Sequence, residues 1–553
     1  MSDKISIAVA QIAPVVGDID GNVRRILAAR AEAGGQGADL VVFCELVVSG
    51  YPPEDLVQKP SFQRACATAV KELATQTGDD GPAMIIGAPW RDGPHLYNAA
   101  FLLSGGVIQA TRYKVHLPNY GVFDEPRRFR AGEVLPEPVE VNGVKLGLMV
   151  CEDMWLPGPG EHLCRQGADI LIVPHGSPFR ETALNERVGA ARDRVRACER
   201  PLIFINQLAG QDEVLFEGAS FIMSANGEVT GRLPQFAESI GITLWERKGG
   251  FFQCAGAPEH EWVGDEEMIY RAVTLAVRHY VEKNRFKGVV IGLSGGVDSA
   301  LTAAIAVDAL GDDAVRCVMM PSRYTSQESI EDAEACARRL GVSYQSIGIE
   351  PGVAAFDEML SGAFKGLDPD VAEENIQSRL RGVLLMALSN KFGDMLLTTG
   401  NKSEMSVGYA TLYGDMNGGY NPLKDIYKTD VFALCRWRNA NHAADLRGPK
   451  SAVIPERIIS KPPSAELREG QKDEDSLPPY DILDPIIEAL VEKEMSVAGV
   501  VALGYDEAVV RRIEHLIYVA EYKRRQAPPG PKVTAVNFGR DRRYPITNGW
   551  RDR

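Results

Sequence analysis

Three residues in the first half of the chain have the types and the setting for covalent chemistry at a carbonyl carbon. Glu45 follows an apolar run in VVFCELVVSGYPPEDL, Lys114 stands in TRYKVHLPNYGVFDE, and Cys151 stands in LGLMVCEDMW. A thiolate attacks a carboxamide carbon when a base takes its proton and a cation faces the developing oxyanion. Glu45 suits the base. Lys114 suits the oxyanion side, together with the backbone N–H that follows Cys151. Singly each is weak evidence, since a lone cysteine after an apolar strand is ordinarily an inert buried thiol. The three segments together carry the reading.

A second constellation lies in KGVVIGLSGGVDSALTAAIAVDAL, which reads as strand, Ser-Gly-Gly turn and helix. The N–H groups of such a turn and the positive end of the helix hold a phosphate group. Ser294 and Ser299 add hydroxyl donors, and Asp298 can reach a Mg²⁺ that bridges phosphates. No Gly-Lys-Ser/Thr follows, so this is not a Walker A loop. Gly292 to Gly296 also satisfies G-x-S-x-G, the nucleophile elbow of serine hydrolases. That rival needs a catalytic histidine further on. Only His442, in NANHAA, and His515, in a charged helix, lie downstream. The phosphate loop is the stronger reading.

These residues need strands to carry them. Ile5–Ala10, Leu40–Cys44, Met84–Ala88, Leu146–Val150, Ile170–Val173 and Leu202–Ile205 are apolar on both faces, as buried strands of a layered α/β fold are. The pattern breaks in GGFFQCAGAPEHEWVG. The boundary is placed there, giving domains 1–255 and 265–553 with a linker at 256–264. Beyond it, strands at Val289–Leu293, Ala314–Met320 and Met395–Thr399 alternate with helices at Ser299–Leu310, Ser329–Leu340 and Glu374–Lys391. Alternation of that kind predicts a parallel, doubly wound sheet. The proline-rich stretch from about Asp445 to Asp481 is expected to be a long loop of the lid or disordered kind.

The 553 residues carry 60 basic and 75 acidic side chains, a formal charge of −15, which argues against general nucleic-acid binding. No apolar run approaches a membrane span, and MSDKISIAVAQ lacks the blocks of a signal peptide. Nine scattered cysteines without a C-x-x-C pair read as reduced thiols of a cytoplasmic protein. The basic end, KRRQAPPGPKVTAVNFGRDRRYPITNGWR, is expected to serve anionic substrates or a subunit interface.

ELVVSGYPP, YKVHLP and CEDMW, in this order, resemble the nitrilase (carbon–nitrogen hydrolase) superfamily across roughly the first 250 residues. The resemblance implies an α-β-β-α sandwich in which Glu45 is general base, Lys114 the oxyanion-side cation and Cys151 the nucleophile. It places Glu125 beside the lysine and the glutamine site, and Tyr120 and Ser177 around a glutamine substrate. Members of the family usually have Asn where HGSPF has His175, which is taken here as a structural hydrogen-bonder.

S-G-G-V-D-S matches the PP-loop of ATP pyrophosphatases. LLTTGNKSEMSVGYATLYGDMNGGYNPLKDIYKTDV, with SRLRG before it and KPPSAELREGQKDEDSLPPYD after it, closely resembles NAD synthetases over most of 265–553. That implies a Rossmann-like doubly wound domain. By the resemblance ATP is held by Ser294, Gly295, Gly296, Val297, Asp298, Ser299, Thr399 and Lys428, with Mg²⁺ on Asp298 and Glu404. Deamido-NAD is assigned to Asn375, Arg379, Arg381, Asp415 and Lys424. Lys424, Lys461 and Asp473 belong to segments expected to close over the site.

The two resemblances imply one reaction. ATP converts the nicotinate carboxylate of deamido-NAD to an acyl adenylate with loss of diphosphate, and ammonia then displaces AMP to give NAD. Free ammonia is mostly protonated at neutral pH, so the first domain is expected to supply it from glutamine through a Cys151 thioester, with delivery through an internal passage. A homo-oligomer built on a synthetase-domain dimer is expected. The rival is an amide or nitrile hydrolase whose second domain binds nucleotide as a regulator. Amidotransferases that make GMP or asparagine resemble neither the first half nor the KSE and YGD segments.

Overall fold

The computed structural model describes residues 3–133 and 135–552; Met1 and Arg553, the outer limits of the two expected domains, lie outside the described residues. The chain forms two compact units that meet in sequence at Val263 and Gly264.

In the first unit β1 (Lys4–Gln11), α1 (Ile19–Gly35), β2 (Leu40–Phe43), α2 (Pro60–Gln76) and β3 (Ala83–Asp92) come first. They are followed by β4 (His95–Ser104), β5 (Val107–Tyr113), β6 (Val139–Val141), β7 (Val144–Leu148) and α3 (Pro159–Arg165). Next come β8 (Ile170–Pro174), α4 (Ala183–Cys198), β9 (Leu202–Ile205), β10 (Leu208–Gln211) and β11 (Val214–Glu217). The unit ends with β12 (Phe221–Met223), β13 (Val229–Arg232), β14 (Ser239–Lys248) and β15 (Phe251–Gly256). One sheet runs β15-β14-β1-β2-β3-β4-β5, a second runs β13-β12-β9-β8-β7-β6, and β10 with β11 makes a separate hairpin.

The strand sequences explain the layers. On β8, Ile170 and Ile172 join the core shared with β1, β2 and β3, whereas Leu171 and Val173 face the core under α3 and α4. On β9, Ile203 and Ile205 divide from Leu202 and Phe204 in the same way. Successive side chains of a strand point to opposite faces, so a strand apolar throughout must be covered on both. Helices α1 and α2 cover the other sheet through Ile26, Ala29, Val70 and Leu73. The result is the α-β-β-α sandwich. The sequence pattern did not reveal β4–β6 or β10–β15, which are either as short as the three residues of β12 or mix polar and apolar types. Gly256, expected to open a linker, is the last residue of β15.

The second unit begins with α5 (Asp265–Lys283), β16 (Val289–Gly292), α6 (Val297–Leu310), β17 (Val315–Met319) and α7 (Gln327–Leu340). It continues with β18 (Ser343–Ser346), α8 (Glu350–Leu360), α9 (Val371–Phe392), β19 (Met395–Leu397) and α10 (Lys402–Val407). Then follow α11 (Lys428–Ala440), α12 (Glu456–Ser460), α13 (Tyr480–Val491), α14 (Val497–Val501), α15 (Glu507–Val519) and α16 (Glu521–Arg524). Its sheet is parallel, in the order β18-β17-β16-β19. The chain leaves β16 toward β17 on one side and later returns to lay β19 on the other, so the end of β16 is a topological switch point. Helices α13, α14 and α15 form a further core through Leu483, Ile486, Val500, Val510 and Ile513.

The Asp445–Asp481 stretch is mostly irregular, as expected, yet it carries α12 and buries Val453, Ile454 and Ile458. These apolar anchors tie down what its prolines alone suggest is loose. Part of the basic end is bound within the unit. Lys523 donates to the carbonyls of Gly408 and Ala410, and Arg524 to those of Met405 and Ser406. No helix among the described residues is long and apolar enough to cross a membrane.

One glycine fixes how closely the first sheet approaches its own active residue. A Cβ on Gly87 in β3 would lie 2.4 Å from the Leu46 nitrogen. Gly87→Ala is therefore expected to destabilise the first unit by about 1–3 kcal/mol, seen as a lower-temperature unfolding step that Gly189→Ala, where a Cβ meets nothing within 4 Å, would not produce.

Candidate functional site

The first site is assembled at strand ends. Glu45 lies two residues beyond β2, Lys114 directly after β5, Cys151 three residues after β7, and His175 directly after β8. Cys151 opens a 3-10 turn, Cys151–Met154, with φ of 50°. A non-glycine residue in that left-handed region is uncommon and costs energy, which the surroundings must supply. Asp153 does part of this. Its carboxylate accepts from the N–H groups of Val150, Val115 and His116, at 3.2, 3.0 and 2.8 Å, so one side chain ties the cysteine turn to the lysine segment.

Lys114 is fully buried, and its Nζ donates to Glu45 Oε1 at 2.8 Å and to Glu125 Oε1 at 2.9 Å. Asn98 donates to the same Glu45 oxygen at 2.7 Å, and the Tyr51 hydroxyl donates to Glu125 Oε1 at 3.0 Å. Glu45 Oε2 has no hydrogen-bond partner among the described residues. One ligating atom each from Glu45, Cys151 and His175 fall within 4.8 Å of one another. The thiol therefore faces the carboxylate expected to be its base.

The electrostatics follow from burial. Burial raises the Cys151 thiol well above its usual range, and Glu45 adds to this while Lys114 opposes it. The resting group is a neutral thiol that must lose its proton as it attacks. Burial works against the Lys114 charge, but Cys151, Glu125 and Glu45 outweigh it and hold the ammonium well above its ordinary value. Burial pushes Glu125 up to about 7 against the pull of Lys114.

Ser177 is buried, its Oγ accepting from Arg187 Nε at 2.8 Å, so its own hydroxyl proton is available to an acceptor. Arg187 is itself ion-paired with Glu217. Tyr120 is exposed and donates to Glu152, the residue after the cysteine. Glu125, set by the resemblance beside both the lysine and the glutamine site, lies against Lys114 and Tyr51. Asn98, Tyr51, Glu152 and Asp153 were not assigned from sequence. The last three stand within the quoted motifs, whereas nothing local marks Asn98.

The second site occupies the switch point. Gly295 has φ of 80°, and a Cβ there would lie 2.2 Å from the Ser329 carbonyl oxygen. Only glycine fits. Ser299 Oγ accepts from Ser294 N at 3.2 Å and donates to Gly296 O at 3.0 Å, shaping the turn that leads into α6. A cavity of about 740 Å³ opens there. Ser294, Gly296, Val297, Asp298, Ser299, Arg381, Thr399, Glu404, Asp415 and Lys428 line it, as do Lys461 and Asp473 from the proline-rich stretch. Asn375, Arg379 and Lys424 are not in the lining. Asn375 accepts from the Thr411 hydroxyl and Arg379 donates to the Leu412 carbonyl.

Lys428 Nζ bridges Asp298 Oδ2 at 2.6 Å and Glu404 Oε1 at 3.2 Å. Burial pushes Glu404 up to about 8, eased by Lys428 and reinforced by Asp298 and Asp473. Asp473 Oδ1 is buried without a partner among the described residues. Three carboxylates around one ammonium form an all-oxygen set with surplus negative charge, which suits a hard divalent cation such as Mg²⁺.

The carbon–nitrogen hydrolase family matches residues 6–247, and the NAD synthase family matches residues 269–527. The chain is 50% identical over 552 residues to the glutamine-dependent NAD(+) synthetase of Rhodobacter capsulatus, covering 100% of both. This chain belongs to the glutamine-dependent NAD(+) synthetase family. The family member from Acinetobacter baylyi is 43% identical, with 99% of this chain and 98% of that protein covered. Among solved structures, the glutamine-dependent NAD⁺ synthetase of Acinetobacter baumannii in complex with ADP has a TM-score of 0.78 and 39% identity, with both chains fully covered. Family membership thus spans both sites.

The Glu125 carboxylate gives the amidase site a pH signature. Above about 7 it is charged and helps hold Lys114; below that it takes up a proton and its hold weakens. Glutamine-driven kcat/KM is expected to rise with pH through this region, and Glu125→Gln to remove that limb from the profile while lowering the plateau.

Proposed function

We propose that the chain converts deamido-NAD, ATP, glutamine and water to NAD, AMP, diphosphate and glutamate. The observation that carries the amidase half is the buried Cys151 thiol facing a carboxylate that is itself paired with the buried Lys114. Glu45 takes the thiol proton as sulfur attacks the glutamine side-chain amide. Lys114 and the N–H after Cys151 offset charge on the amide oxygen, Glu45 passes the proton to the amide nitrogen so that it leaves as ammonia, and water hydrolyses the thioester to glutamate. Ser177, Tyr120 and Glu152 are the polar groups that would orient glutamine.

In the second unit the 294–299 loop and the start of α6 would hold ATP phosphates, with Thr399 and Lys428 beside them. Asp298 and Glu404, backed by Asp473, would hold Mg²⁺, which supplies neutralisation of the charge that develops on the departing diphosphate. Arg381 and Asp415 face the same cavity and are assigned to deamido-NAD, with Asn375, Arg379 and Lys424 at its margin. Attack of the nicotinate carboxylate on the α-phosphate expels diphosphate, and ammonia then displaces AMP. A chain with a merely regulatory nucleotide domain would have no use for this carboxylate set. The nine free cysteines support a cytoplasmic setting as part of the proposal.

The deciding assay supplies deamido-NAD, ATP and Mg²⁺ with either glutamine or ammonium. Cys151→Ala is expected to abolish glutamine-driven NAD formation and leave ammonium-driven formation largely intact. Asp298→Asn should impair both. Loss of both activities in the first variant, or of neither in the second, would contradict the division of labour.

A dimer of the second unit is part of the proposal. None of the residues of α8 is buried, although it contains Val353, Phe356, Met359 and Leu360. On α9 only Gln377, Ser378 and Gly382 are buried, and Val371 and Val383 stand exposed. A second copy of the chain would cover such a face. Light scattering should give at least twice the 60.3 kDa chain mass, and Val383→Glu should shift the population toward monomer.

A further inference from the structure

His175 stands at the amidase site in a state its neighbours define. It is 2% exposed, packed against Phe204 at 4.8 Å between ring centres and near Trp155. The Trp155 indole Nε1, which can only donate, lies 3.1 Å from His175 Nε2. Nε2 must therefore be the bare nitrogen, and the imidazole proton resides on Nδ1. Burial, with Lys114 and Arg187 adding to it, keeps the ring neutral by holding its pKa well below the usual value.

That leaves a buried N–H donor, Nδ1, without a partner among the described residues. Glu45 Oε2, a buried acceptor, is without one too. An unmatched donor and an unmatched acceptor cost free energy unless something joins them. The imidazole comes within 4.8 Å of both the Glu45 carboxylate and Cys151 Sγ, close to the span of two groups bridged by one small hydrogen-bonding molecule.

We infer that His175 is a further catalytic residue of the amidase site, its Nδ1–H holding the hydrolytic water that Glu45 deprotonates. The inference rests on Cys151 and Glu45 acting as proposed above. The water oxygen accepts from Nδ1–H and gives one proton to Glu45 Oε2 as it attacks the thioester carbon. The C–S bond breaks, glutamate leaves, and the proton on Glu45 returns to the Cys151 sulfur. Trp155 is a positioning residue: it acts only by fixing which nitrogen carries the proton.

The test is pre-steady-state ammonia release from glutamine by the full-length enzyme, with mass analysis of acid-quenched Cys151 peptide. In His175→Phe the water loses its donor while the thiol, its base and Lys114 remain. Expected are a burst of ammonia, a glutamyl thioester on Cys151, and a steady rate about 10- to 100-fold lower. His175→Asn, whose amide can donate, should restore the steady rate to within a few-fold. Trp155→Phe should slow thioester hydrolysis in the His175 enzyme and not in the His175→Asn background, where no tautomer is at stake. This pair decides the matter if His175→Phe does not fold. An unchanged steady rate in His175→Phe, a slowed rate with no thioester, or a Trp155→Phe effect independent of residue 175 would each overturn the inference. If Cys151→Ala still uses glutamine, the underlying amidase reading fails instead.

Discussion

A single buried ammonium organises the first unit. Lys114 has no exposure to solvent, and two carboxylates converge on it from β2 and from the Glu125 turn. Removing one partner from such a group leaves an uncompensated buried charge, a loss of roughly 3–5 kcal/mol. The strands that bring these residues together are thereby coupled to the chemistry they serve. Asn98 and Tyr51 saturate the same oxygens, and Asp153 fastens the lysine segment to the strained cysteine turn. The outcome is a thiol kept neutral at rest beside a carboxylate with one oxygen unengaged among the described residues.

The second unit solves a different problem with the same device. Lys428 holds Asp298 and Glu404 together, and Asp298 also accepts from Asn401, the residue that caps α10. Here the carboxylates outnumber the cation, so the cluster retains negative charge for a divalent ion. In the proposed reaction the lysine of the first site would face a developing oxyanion, and in the second the surplus acids would take a divalent cation. Both clusters sit where strand ends and a tight turn place backbone N–H groups beside them. In the proposed reaction, phosphate and oxyanion alike would be met by amides that folding has already oriented.

Much of this was legible in the sequence because it rests on local patterns. Uninterrupted apolar runs such as Ile170–Val173 belong to strands covered on both sides, and a glycine turn between strand and helix belongs at a switch point. Cys151, Glu45, Lys114 and the 294–299 loop follow from their motifs. What was not legible depends on distant pairing. Asn98 reaches Glu45 across 53 residues without a local signature. Lys428 meets Asp298 across 130 residues. The burial of Val453, Ile454 and Ile458 turns a proline-rich stretch into a packed wall of the cavity. The sequence of HGSPF marks His175 as no more than a hydrogen-bonder, because only the fold brings its ring beside the nucleophile, with one nitrogen bonded to Trp155 and the other without a partner among the described residues.

The measurement that tests the central claim most directly is NAD formation by Lys114→Met with glutamine and with ammonium as alternative nitrogen sources. If the buried ammonium organises the amidase site, glutamine-driven turnover falls by about 10²- to 10³-fold, ammonium-driven turnover persists, and the enzyme remains folded by its unfolding profile. A Lys114→Met enzyme that still draws nitrogen from glutamine at a rate near that of the unaltered chain would contradict the account.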